Sequence, residues 1–139
     1  MRVGALPQVP LGALGYQLAF NPAGLINEYA EPCEVLEDGH HATVEPLTRF
    51  ETVSWEGWGE LEAFSTAGGT STMCLTHEGR VMRLEYKTLR FPGHGHVFRV
   101  LYEIGMFDES PHRVGTLEVA PRSVLLEALA RTLPREISP

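Results

Sequence analysis

Apolar positions along the chain switch repeatedly between helical and alternating spacing. Residues 1–16, with Pro7, Pro10 and several glycines, read as a loop-like entry, and Tyr16 to Phe20 alternates weakly as a short strand. Asn21-Pro22 predicts a helix start, because asparagine caps free amides and proline suits the first helical position. That helix runs from Ala23 to about Ala30, with Leu25, Ile26 and Tyr29 on one face, and stops near Pro32. Cys33–Glu37 and His40–Val44 flank Asp38-Gly39, a hairpin pattern, since Asp-Gly tolerates the positive φ of tight turns. Phe50–Trp55 and Glu60–Phe64 alternate as two strands around Gly57-Trp58-Gly59. A polar loop over 65–72 leads to a short helix near Thr72–His77, ended by Gly79, and Arg80–Phe91 reads as a long strand.

Beyond Pro92-Gly93, His96–Met106 is amphipathic, with Val97, Val100, Leu101 and Ile104 expected inward and Gly105 ending the helix. Asp108–Gly115 reads as a polar loop and Thr116–Val119 as a strand. Pro121 opens a last helix, with Val124, Leu125, Ala128 and Leu129 inward, closing near Pro134. About six or seven strands and three or four helices in mixed order make an α+β pattern, not a βαβ array. No internal repeat is visible.

Composition narrows the classes. The 139 residues suit one domain, 1–139, and an apolar fraction of 43% suits a soluble globular protein. No apolar run approaches the roughly 18 residues of a membrane span, and Met1–Pro7 has no secretory core. Two cysteines without metal or scaffold spacing lead us to expect a reduced, cytoplasmic setting. A net charge of −7 argues against nucleic acid and anionic membranes as partners. Of the eleven basic residues one is lysine, Lys87.

Lys87 lies in Leu84–His96, where Lys87, Arg90, His94 and His96 surround a Pro-Gly turn. Cations at a strand end facing a helix N-terminus can receive a carboxylate ligand, although a solvated edge reads the same way. His94 is better placed for chemistry than His40 and His41, which belong on a solvated hairpin tip. The His94/His96 spacing matches no zinc pattern, so no metal is expected. Ala67-Gly68-Gly69-Thr70 is no phosphate signature, and no dinucleotide fingerprint exists. Paired glycines can still admit a ligand to backbone amides beside Thr66 and Thr70, or form a plain turn. Asn27 reads as an exposed polar position more readily than a contact, and Trp55, Trp58 and Phe64 as core or interface.

Three motifs in one order carry a resemblance. Gly24-Leu25-Ile26-Asn27-Glu28-Tyr29 with Glu31-Pro32, then Leu61-Glu62-Ala63-Phe64-Ser65-Thr66-Ala67-Gly68-Gly69, then Tyr86-Lys87-Thr88-Leu89-Arg90-Phe91-Pro92-Gly93-His94 resemble the saccharopine dehydrogenase/reductase family, closest to its lysine 6-dehydrogenase branch, over roughly residues 4–130. The resemblance implies an NAD(P)-dependent oxidoreductase acting on a C–N bond of an amino acid or amino-acid conjugate. It implies an N-terminal Rossmann domain that binds NAD or NADP. The second domain, the part resembled here, is a mixed, largely antiparallel sheet with helices packed on one face. It supplies substrate contacts and a homodimer interface. By motif, His94 and Lys87 are the expected catalytic residues. Asn27, Thr66, Gly68, Gly69, Thr70 and Arg90 are the expected substrate contacts. The chain departs from the pattern in lacking the Rossmann half and in carrying Phe91 for the commoner tyrosine. A fragment inactive alone is therefore expected, with a stand-alone binding or dimerisation module as the alternative.

Overall fold

A computed structural model describes residues 1–135. Its centre is a four-stranded sheet in the order β1 (Arg2–Val3), β6 (Lys87–Arg90), β5 (Gly59–Ser65), β4 (Glu51–Trp55), in which β1 and β6 are parallel and the other pairs antiparallel. Pairing of Glu62 with Arg90 and Phe64 with Thr88 sets the register of the two central strands. Helices α1 (Pro22–Ala30), α3 (His94–Glu103) and α4 (Pro121–Thr132) cover one face of this sheet. Their shared core holds Leu25, Ile26 and Tyr29 of α1, Phe98 of α3, Leu125 and Leu129 of α4, and Phe64 from the sheet. This is the α+β, helices-on-one-face arrangement expected.

The local signals act as their chemistry requires. Asn21 Oδ1 accepts from the Ala23 amide at 2.8 Å with Pro22 at the first helical position, and α1 ends before Pro32. The hairpin of β2 (Cys33–Glu37) and β3 (His40–Val44) turns through Asp38 and Gly39 at φ 50° and 82°. Short α2 (Met73–His77) and a second hairpin, β7 (His112–Val114) with β8 (Leu117–Val119), complete the chain.

Four expectations are corrected. Arg2–Val3 forms an edge strand rather than loop. Tyr16–Phe20 forms no strand, with Leu18 making a single bridge to Arg135. The long strand is four residues, because the chain turns back after α2 and Leu84 bonds Leu36 across the hairpin at 2.9 and 3.1 Å. The buried side of α3 is His94, Gly95 and Phe98, while Val97, Val100 and Ile104 are exposed, as are Val124 and Ala128 on α4. Aromatic packing decides the turn of α3: Phe98 meets Tyr29 edge-on at 5.1 Å and His94 at 4.8 Å, so its aliphatic row faces outward.

The opposite sheet face is open along a cleft and is otherwise covered. Leu61, Ala63, Leu89 and Phe91 pack there with Leu6 and Val53. Beside them a cleft of about 500 Å³ is lined by Arg2, Leu6, Trp55, Trp58, Leu61 and Leu89.

Candidate functional site

Alternation along β6 divides its side chains between the two faces. Thr88 and Arg90 point to the helices, with Thr88 Oγ1 2.7 Å from Thr66 Oγ1. Leu89 joins the open-face cluster, and Lys87 shares its side. The Lys87 amine donates to the Arg49 carbonyl at 2.7 Å and pairs with Glu51 at 3.3 Å, within a cleft of about 680 Å³ that Glu37, Arg49 and Arg83 also line. The structure therefore joins Arg90 and His94 through Tyr29, bonds Thr66 to Thr88 on the same side of β6, and sets Lys87 behind the sheet from them.

Arg90 is buried, with 3% of its surface exposed, yet among the described residues no carboxylate lies within ion-pair distance of it. Its Nε donates to Tyr29 Oη at 3.2 Å and its Nη1 to the Leu89 carbonyl at 2.9 Å, and its guanidinium lies 5.0 Å over the Tyr16 ring. A cation so placed carries a desolvation cost that neutral acceptors and one aromatic face offset in part.

His94 completes a chain running one way. Its Nδ1 lies 3.0 Å from the Leu14 carbonyl, which can accept and not donate, so Nδ1 carries the proton. Its Nε2 then accepts from the Tyr29 hydroxyl at 2.9 Å, and Tyr29 accepts in turn from Arg90. Burial, reinforced by the Arg90 charge and opposed by the Leu14 bond, pushes the imidazole down to about 3. His94 is thus neutral at ordinary pH and fixes Tyr29, which fixes Arg90. Tyr29→Phe strips a partner from both Arg90 Nε and His94 Nε2, and is expected to destabilise the fold by about 2 kcal/mol in urea unfolding.

Glu62, 7% exposed, closes the start of α3 by accepting from the amides of Gly93 (2.9 Å) and Gly95. The carboxylate that meets this helix N-terminus is thus the protein's own, which corrects the expectation of a ligand there. A nucleotide pyrophosphate would meet Glu62's negative charge at the same place. At this helix start the residues present do not fit a nucleotide phosphate. Glu62→Ala leaves two amides without acceptors, with an expected loss of about 2 kcal/mol in thermal or urea unfolding.

The remaining expected contacts ring this centre at differing distance. The Ala67 amide donates to the Glu28 carbonyl at 2.9 Å, tying the loop after β5 to α1. Gly68 turns at φ +86° and is exposed. At Gly69 a Cβ would stand 2.1 Å from Cγ of Tyr86, so the tyrosine ring rests on the glycine backbone. Thr70 is buried and donates to the Glu34 carbonyl at 3.2 Å. Asn27 is exposed, and its Oδ1 accepts from Arg122 of α4. Sequence reasoning missed Tyr16, Glu28 and Glu62 as members of the site and took Tyr29 only as core. One signal was present: a tyrosine on an apolar helix face needs a partner for its hydroxyl.

Comparison with known proteins agrees with this architecture. Residues 1–138 match the family model described as the saccharopine dehydrogenase C-terminal domain. The fold is similar to that of apo histidine-tagged saccharopine dehydrogenase (L-Glu forming) from Saccharomyces cerevisiae, with a TM-score of 0.60 and 19% sequence identity over 78% of this chain and 26% of that one. At that identity the likeness is one of fold, and this chain spans about a quarter of the yeast enzyme's length. By the model that covers it almost end to end, the chain belongs to the saccharopine dehydrogenase C-terminal domain family.

Proposed function

We propose that this chain is the substrate-binding domain of an NAD(P)-dependent oxidoreductase acting on the C–N bond of an amino acid or amino-acid conjugate of the lysine or saccharopine type. NAD or NADP is held by an N-terminal Rossmann domain, and two copies associate as a homodimer. The observation that carries the reading is Arg90: a buried guanidinium without a counter-ion among the described residues, in a domain of this family. Arginine binds carboxylate in a two-point geometry, and a cation held in advance by neutral groups costs little to orient.

In this reading Arg90 receives the substrate carboxylate. His94 and Tyr29 hold it in place, and Thr66 with the Gly68–Thr70 loop borders the site. Lys87 and Arg90 point to opposite faces, so a small ligand on Arg90 does not reach the amine, which already has Glu51. Lys87 then serves the open face, where a reacting end could meet a second domain.

The test uses the gene product in which this domain accompanies its nucleotide-binding partner. L-lysine and saccharopine are screened for NAD(P) reduction, followed by the absorbance of reduced nicotinamide. Arg90→Met is expected to lower kcat/KM by about 100-fold, an order expected for loss of a charged substrate contact. Absence of amino-acid-dependent reduction with both substrates and both nucleotides overturns the reading in favour of a non-catalytic module.

A further inference from the structure

Lys87 is the chain's single lysine, and it is almost wholly enclosed, at 4% exposure, although it lines a cleft of about 680 Å³. An ion-paired bridge on the same side of the sheet adjoins it. Glu51 of β4 holds the Lys87 amine at 3.3 Å through Oε2 and the Arg2 guanidinium through Oε1. β1 and β4 are the two outer strands, with β6 and β5 between them, so the Arg2–Glu51 pair reaches from one edge of the sheet to the other. Ala63, paired with Glu51 in register, presents only a methyl group on this face.

Arg2 belongs to a segment with little else to hold it. β1 pairs with β6 over two residues, and the Lys87 amide donates to the Met1 carbonyl at 2.9 Å. Beyond β1 the chain lies against the sheet face itself. A Cβ on Gly4 would stand 2.9 Å from the Leu89 Cβ and 3.0 Å from its carbonyl oxygen, and Leu6 packs with Leu61, Ala63, Leu89 and Phe91. Residues 1–5 are exposed and Leu6 is half-buried. Few buried apolar contacts and a short, exposed ladder mark a segment that opens locally, before the core does. The bridge also stands between two clefts. Arg2 lines the tryptophan cleft of about 500 Å³, whereas Glu51 and Lys87 line the one of about 680 Å³.

We propose that residues 1–6 are a strap latched by the Arg2–Glu51 pair, whose release joins the two clefts and uncovers the Lys87 amine. With the strap closed, the amine has the Arg49 carbonyl at 2.7 Å and Glu51 as its partners and is shut away from solvent. With the strap open, Arg2 leaves Glu51, Gly4 lifts from Leu89, and the amine is reached from the tryptophan side. An ammonium has three protons to donate and this one has two partners, so a carboxylate or carbonyl oxygen entering the joined cleft has a donor to meet. The strap and Lys87 lie across the sheet from Arg90, and their behaviour is independent of whether Arg90 takes a carboxylate.

The test is acetylation of the folded chain by the N-hydroxysuccinimide ester of acetic acid, with Lys87 followed by mass spectrometry of the peptide that carries it. As the single lysine it gives one ε-amine product. In Arg2→Gln, Lys87 is expected to react about fivefold faster, the scale of one partly exposed ion pair. Electrostatics alone predicts the reverse, because a Glu51 no longer shared with Arg2 holds the unreactive ammonium more firmly. Gly4→Ala, which props the strap off Leu89 without touching a charge, should accelerate the reaction as well. The thiols of Cys33 in β2 and Cys74 in α2, both buried, should keep their wild-type labelling rates in the two variants, since the core stays closed. Failure of either variant to accelerate Lys87, or thiols accelerated as much as the amine, overturns the strap.

Discussion

Acidification from pH 6.5 to 4.5 is expected to cost the folded chain about 2–3 kcal/mol through His94 alone. In the unfolded chain the imidazole takes up its proton near 6.5, whereas in the folded chain it does so only near about 3. Between those values the unfolded state binds more protons, so stability falls as pH falls, by about 1.4 kcal/mol per unit. The structural reason is the direction of the hydrogen-bond chain. A proton on Nε2 would face Tyr29 Oη, which already accepts from Arg90, and would place a second positive charge beside that guanidinium. Glu51 and Asp108 are both held below their usual carboxylate range, chiefly by bonds to Arg2 and His112 respectively. Their losses are confined to lower pH, and Glu28, whose carboxyl burial raises, titrates with the opposite sign, so the fall in stability across the upper window belongs to His94. Urea unfolding of the wild type and of His94→Gln across pH 4.5–7 checks this, the expected result being a wild-type slope that the variant lacks. Parallel stability curves for the two proteins would count against it.

Gly95→Ala is expected to destabilise the fold by about 3 kcal/mol or more, at the upper end for an overpacked core. A Cβ at this position would stand 2.5 Å from Cε1 and 2.7 Å from Cδ1 of Phe64, and 2.7 Å from Cε1 of Phe50. Neither ring is free to retreat. Phe64 is fully buried against Tyr29 at 5.7 Å, and Phe50 is stacked on His96 at 4.1 Å. Gly95 also donates its amide to Glu62, so pushing α3 outward would weaken that cap as well. Phe50→Leu should recover part of the loss in the double variant, because the two positions share one volume and their effects should not add. Thermal unfolding of the single and double variants measures both terms, and simple additivity would show that the clash is relieved elsewhere.

What the sequence made legible was the local chemistry. Asn21-Pro22 and Asp38-Gly39 placed α1 and the first hairpin because capping and positive φ are properties of a few neighbouring residues. Pairing between distant segments was not legible. Arg2–Val3 becomes a strand only because β6 lies alongside it, and two residues carry no period of their own. The inward side of α3 was misjudged because aliphatic periodicity named Val97, Val100 and Ile104, while packing with Tyr29 and Phe64 selected Phe98, His94 and a glycine. At the candidate site, strand alternation separates two of the expected residues. Residues three apart in a strand point to opposite faces, so Lys87 and Arg90 could not both serve one small pocket. Tyr16 gave no sign in sequence, since its importance comes from packing under a cation that arrives more than seventy residues later.

The placing of the tryptophans has a spectroscopic consequence. Trp55 and Trp58 both line the open-face cleft, at 47% and 37% exposure, and the helix side has no tryptophan at all. Intrinsic fluorescence is therefore a reporter restricted to one side of the sheet. Burial of the open face by another domain or a second copy should shift the emission to the blue, while occupation of the Arg90 site, on the other side of the same strands, leaves the indoles in water and the spectrum in place.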